Sequence, residues 1–296
     1  MASILNKLLH FFSGAEIVSS SLMATPSAAI SSSEINSSVP SDETNTAHLA
    51  SSGTISKVKD YHEKNFEHVS SALEHIGKQL RKVIRKGDEP DEITFTRLYT
   101  MLLGVWCEAR LHKLLYEKGA FSEHERANIY NAGSLEIRWQ RALDIGLKKN
   151  ASLAIDAEIT ISSVGFVRFK IYEEIHSWIS DHFSPAITLR NKVAHGQWVS
   201  PFTNMQDTWI DSSSFKICSK SITALKKENL QTTSYKIDLL KEISITINNL
   251  AVDSNIYQVE NFDDRYKKIF NIVEKINTAD YSDFKSRIRD SLKTTS

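Results

Sequence analysis

The sequence predicts a mostly α-helical protein, an antiparallel bundle with a flexible N-terminal segment and extra helices at its ends. Three observations lead there. From about residue 55 onward, apolar residues recur three and four apart, which is the helical period. Helix punctuation is frequent: Ser122 stands three before Glu125 in a capping-box pattern, and Ser134 precedes another apolar run. Stretches that could be read as extended are short, around residues 150–163 and 214–218.

Composition narrows the function classes. Lys+Arg and Asp+Glu both number 36 in the 296 residues, so no global basic field draws nucleic acid to the chain. Cys107 and Cys218 suit a reducing, cytoplasmic setting better than a disulfide scaffold. No apolar run reaches the roughly 18 residues of a membrane span, so no membrane partner is expected.

Taken in order, residues 4–12 read as a small amphipathic helix that docks on the body or a partner. Ser and Thr dominate residues 13–56, too poor in apolar surface to offset the entropy of ordering, and residues 1–54 are read as flexible. Residues 55–90 are an amphipathic helix and its exit, with Phe66, Val69, Leu73, Ile76, Leu80 and Val83 alternating three and four apart. That seam fits packing on the body, with a two-stranded coiled coil as the alternative. The basic end of this helix, Lys78, Arg81, Lys82, Arg85 and Lys86, is the densest positive patch available to an RNA backbone.

Gly87 to Asp91 breaks the chain, and residues 93–118 form a long helix closed by Gly119. Glu108 lies within that apolar helix, where a carboxylate is costly unless paired. Residues 122–131, 134–149 and 166–182 follow as helices, with residues 150–163 undecided between helix and strand. Residues 232–252 make a buried helix, placed against the helix before Gly196; residues 262–276 and 281–292 make two more.

One stretch carries the chemistry: Ser-Pro-Ala-Ile-Thr-Leu-Arg-Asn-Lys-Val-Ala-His-Gly, residues 184–196. Ser184 is placed as N-cap, Pro185 in the first turn, and Gly196 as the left-handed stop. Ala186, Leu189, Val193 and Ala194 form the apolar stripe. Asn191 and His195 share a face, and Arg190 lies about 100° round the helix from Asn191. A planar cation, an amide and an imidazole are thereby grouped within a turn and a half, and Lys192 adds a second positive charge for an RNA backbone.

The string Leu-Arg-Asn-Lys-Val-Ala-His-Gly resembles the signature of HEPN domains, small α-helical proteins of which many are endoribonucleases. Their motif is an Arg, usually followed by a polar residue, then a His after four to six intervening positions. The resemblance implies a HEPN-like body over residues 91–252, with residues 253–296 as a helical extension. It implies catalytic roles for Arg190, Asn191 and His195, and a supporting role for Glu108, whose carboxylate would hold the Arg190 guanidinium through two bonds. It also implies RNA as substrate, a homodimer whose facing motif helices complete one site, and a toxin or anti-phage effector silenced by an antitoxin or regulatory protein. A non-catalytic dimerisation module on the same scaffold is the alternative.

No Cys pairs, His-Glu-x-x-His or Asp cluster suggests a metal, no glycine-rich loop suggests a bound nucleotide, and no cofactor is expected. His176 and His182 read as ordinary surface or packed histidines.

Overall fold

The computed structural model describes residues 52–203, 216–252 and 262–290, and the fold is mostly α-helical. The chain divides into two units, 1–47 and 48–296, and all described residues belong to the second. The readings of the 4–12 helix and the Ser/Thr-rich segment lie outside the described residues.

Helix α1, Ser52–Lys86, lies antiparallel along α2, Glu89–Leu115. Gly87, at φ +73°, makes the reversal between them. Leu73, Ile76, Leu80, Val83 and Ile84 are buried, so the apolar seam of α1 is consumed within its own chain. Polar ties cross the same junction. Trp106 Nε1 donates to Ser70 Oγ at 2.8 Å, and Lys113 Nζ donates to Glu63 at 2.8 Å.

Helix α2 begins at Glu89, four residues earlier than its apolar pattern suggests. Asp88 is its N-cap, accepting from the Asp91 amide, and Pro90 sits in the first turn, where a missing N–H costs nothing.

Helix α3, Glu123–Tyr130, starts with the reciprocal Ser122–Glu125 capping box, and α4, Leu135–Asn150, is capped by Ser134. Between α4 and α6 the chain is irregular except for one turn, α5, Ile161–Val164. Helix α6, Phe166–Trp178, runs through a π-turn, Ile179–Phe183, into α7, Ser184–Ala194. Then come α8, Ser219–Lys227; α9, Leu230–Ala251; α10, Phe262–Asn277; and α11, Tyr281–Asp290. Among the described residues, extended pairing is one antiparallel bridge, Phe202 to Ile217.

A main apolar core runs through the body, with a smaller cluster of Leu189, Val193 and Leu225 beside it. Trp139 on α4 is fully buried and meets Phe183 edge-on, with ring centroids 5.7 Å apart. Helix α9 packs chiefly on α4, α10 and α2, not on α7 as its sequence position suggests. Its apolar residues, from Ile237 through Leu250, are buried on nearly all sides, so it takes the centre of the bundle. The neighbours of α7 are instead α2 and α8, besides the π-turn that leads into it. No described helix is long and apolar enough to cross a membrane.

The two thiols sit in opposite environments. Cys107 is buried on α2, and burial pushes its thiol up to about 12. Cys218 is partly exposed, and the Ser221 hydroxyl donating to its sulfur at 3.1 Å holds its pKa below the ordinary value. A thiol reagent at pH 7.5 is therefore expected to modify Cys218 quickly in the native protein, and Cys107 only after denaturant is added. Cys218→Ser should abolish the native-state reaction.

Candidate functional site

The helix carrying Arg190, Asn191 and His195 does not begin afresh at Ser184. Ser184 has helical angles, φ −56° and ψ −47°, and makes no side-chain cap. Pro185 explains the change. It lacks an N–H for the bond to the carbonyl four residues back, and its ring crowds that carbonyl. The five-residue π-turn before it opens the spiral at this point, so α6 and α7 continue as one interrupted rod.

At its other end α7 stops as Gly196 requires. Gly196 takes φ +74°, its amide donates to Val193 O at 3.1 Å, and the Gln197 amide donates to Lys192 O at 2.9 Å. This pair of bonds is the Schellman arrangement, with His195 as the C-cap residue. His195 is exposed there, and Asn191, one turn back, is half-buried.

Helix α7 crosses α2 at Gly104. A Cβ built at Gly104 would stand 2.4 Å from Arg190 Cβ, 2.7 Å from Arg190 Cγ and 3.2 Å from the Ala186 carbonyl oxygen. Only a residue without a side chain lets the two helices approach so closely. The aliphatic stem of Arg190 thus lies on the α2 backbone. Its guanidinium reaches the next turn, where Nη1 donates to Glu108 Oε2 at 2.7 Å. The Arg190 and Glu108 side chains keep 23% and 38% of their surface exposed.

The contact is single, not the two-bond fork expected. Arg190 Nε is buried and has no partner among the described residues, because the stem is pressed onto α2 where no acceptor faces it. Nη1 is therefore held by protein and Nε is shut off, which leaves the outer face of the partly exposed guanidinium available to an anion.

The segment after Gly196 is bound back to the same crossing. Trp198 Nε1 donates to Val193 O at 2.9 Å, and Arg97 on α2 donates to Trp198 O at 3.1 Å and to Leu225 O at 2.7 Å. Helix α8 then closes over Leu189 and Val193 through Leu225. These contacts set α7 antiparallel to α2: Trp198 meets Arg97, and Arg190 meets Gly104 and Glu108. His195 lies five residues, about 7.5 Å of axial rise, beyond Arg190, toward the opposite end of the crossing from Glu108.

Two sets of basic residues expected to touch RNA are placed differently. Lys192 is buried, with Nζ donating to the Phe202 carbonyl. It points inward because its position on α7 faces the 201–203 loop, and it acts as a tether and not as a surface cation. Lys78, Arg81, Lys82 and Arg85 remain exposed, but on the α1 end that packs on α11. There Lys78 pairs with Glu74 at 2.5 Å, and the Arg81 guanidinium lies 5.8 Å from the Phe284 ring centroid. The structure does not bring them into contact with Arg190.

Among the described residues no group of three or more His, Cys, Asp or Glu side chains is arranged to hold a metal ion. A groove of 670 Å³ between α1, α2 and α9, floored by Phe66, Tyr99 and Trp106, contains none of the α7 polar residues.

Gly104, Arg97 and α8 were not visible as parts of the site. Gly104 stands in an ordinary helical run, and the α8 string Ser-Lys-Ser-Ile-Thr-Ala-Leu-Lys-Lys has too few apolar positions to announce a helix. No family model, curated protein or solved structure matches this chain.

Proposed function

We propose that this chain is a metal-independent, HEPN-type endoribonuclease acting as a homodimer. Its setting is the reducing interior of a cell, as a toxin or anti-phage effector under the control of an antitoxin or other regulatory protein. The observation that carries this is the Arg190–Glu108 pair at the Gly104 crossing, with an exposed His195 on the same short helix.

In the proposed reaction a ribose 2′-OH attacks the adjacent phosphorus. One His195 accepts the hydroxyl proton, and the His195 of the second copy donates a proton to the departing 5′-oxygen. The free N–H groups of Arg190 stabilise the charge on the phosphorane oxygens. Glu108 holds one edge of the guanidinium, so its orientation is set before the strand arrives. Asn191 orients the phosphate or the imidazole. The products are a 2′,3′-cyclic phosphate and a 5′-hydroxyl. Two copies are invoked because one chain offers a single His195, and acid and base are both needed.

A second reading is a non-catalytic dimerisation or interaction module. The observation in its favour is that Glu108 already neutralises Arg190, as a purely structural tie between helices would. The two separate by product chemistry. Purified protein in excess EDTA, given a tRNA pool and total RNA, is expected to yield fragments ending in 2′,3′-cyclic phosphate. Cleavage that needs a divalent cation, or fragments with 3′-hydroxyl ends, would contradict the mechanism, and no cleavage of either pool would favour the interaction module.

A further inference from the structure

Beyond Glu108, the next turn of α2 opens onto a second polar cluster that the proposed reaction does not use. His112 follows Glu108 by one turn and is half-buried. Its ring centroid lies 5.6 Å from that of Tyr130, at the end of α3, and 5.1 Å from that of His62 on α1. Arg138 on α4 faces the same group, with its guanidinium carbon 5.8 Å from the Tyr130 ring centroid.

Arg138 is the unusual member. It is half-buried, its Nε is fully buried, and no carboxylate, carbonyl or hydroxyl among the described residues accepts from it. Arg126 nearby also leaves its Nε without a partner, but its two outer nitrogens donate to Phe121 O at 2.5 Å and to Glu123 at 2.6 Å, whereas no nitrogen of Arg138 donates to protein among the described residues. The partly exposed Nη groups of Arg138, with no acceptor among the described residues, are therefore open to an acceptor from outside the fold. His112 cannot offset the charge of Arg138, since an imidazole is neutral or cationic; burial lowers the His112 pKa, with Glu108 opposing and Arg138 reinforcing the shift, so the ring favours its neutral form.

The ligand chemistry follows from the donors. A planar fork of N–H groups with no carboxylate partner selects an anion with several oxygens, and guanidinium geometry matches phosphate. The adjoining rings of Tyr130 and His112 offer faces for a base, which a lone phosphate would not use. Arg190, on the far side of Glu108, is likewise partly exposed and spends one Nη on Glu108. Two arginines with outer nitrogens open to an anion thus stand on either side of Glu108.

We infer that Arg138, with His112 and Tyr130, forms a second phosphodiester subsite that grips the RNA strand beside the bond cleaved at Arg190 and His195. This rests on the endoribonuclease reading, but it is tested by binding. The probe is a short, fluorescently labelled 2′-deoxy single strand, which has no 2′-OH and is not cut.

By anisotropy, Arg138→Gln should weaken binding about tenfold and reduce the slope of log affinity against log salt by about 0.7, one phosphate contact on a single strand. Arg138→Lys, which keeps the charge, should retain part of the affinity. Lys275→Gln on the exposed face of α10 should change nothing. Melting curves establish that each variant is folded.

Equal affinity of Arg138→Gln and wild type would overturn the subsite, while cleavage dependent on His195 would leave the nuclease intact. Inorganic phosphate competing as well as the oligonucleotide would mean a free-anion site and overturn the strand assignment. Wild type that neither binds the oligonucleotide nor cuts RNA would remove both.

Discussion

Gly104→Ala is expected to lower thermal stability and remove activity together. By helix propensity alone the change should stabilise α2 by about 1 kcal/mol, because alanine is the better helix former. The crossing reverses that sign. A methyl group at this position would lie 2.4 Å from Arg190 Cβ and 3.2 Å from the backbone oxygen of Ala186, and neither is the free end of a flexible chain. Helix α7 must move away, which opens its contact with α2 and carries the guanidinium off Glu108. Overpacking of this kind costs about 1–3 kcal/mol. For a body of this size that is a fall of several degrees in melting temperature, at about 2–4 °C per kcal/mol. A circular-dichroism melt of Gly104→Ala beside wild type reads the sign directly. A rise would mean that the helices are not in this contact.

Arg190→Ala is expected to separate activity from stability. Removing a donor aimed at the developing phosphorane charge costs about 10²–10³ in turnover in comparable oxyanion sites. The stability effect should be small, because both members of the Arg190–Glu108 pair are partly exposed and solvent screens the attraction. Arg190→Lys should recover little activity, since an ammonium cannot contact Glu108 on one edge and offer a second edge to phosphate. If cleavage by Arg190→Lys matched wild type, a point charge would suffice, and the role given to the planar fork would be wrong.

How much of this was legible in the sequence depended on range. Local signals carried far: the Ser122–Glu125 box, the Ser134 cap and the Gly196 stop are set by residues within a turn of each other, and the structure shows each in place. Pro185 was a local signal with two meanings. It marks a first turn when a helix begins and forces a π-turn when one continues, and Ser184 beside it favoured the first.

Nothing local connects Glu108 to Arg190, 82 residues apart; the resemblance supplied that expectation, and the one-bond geometry came only with the packing. Gly104 could not be singled out, because its value lies in what crosses it. Lys192 looked like a surface cation because the 201–203 loop that receives it is distant from it in local pattern. Arg138 looked like any charge on an amphipathic helix, and only the surroundings of its guanidinium, two rings and no acceptor among the described residues, mark it out.

The central claim is that His195 moves a proton in RNA cleavage, and one comparison tests it most directly. Wild type and His195→Ala, purified alike, are incubated with a tRNA pool in EDTA, and release of 2′,3′-cyclic phosphate ends is followed. His195 is exposed at the C-cap of α7, so the substitution should leave stability within about 0.5 kcal/mol of wild type. The rate should fall by about 10²–10⁴, the usual worth of a positioned acid or base. Equal rates in the two proteins, with both folded, would contradict the assignment of His195 and the mechanism built on it.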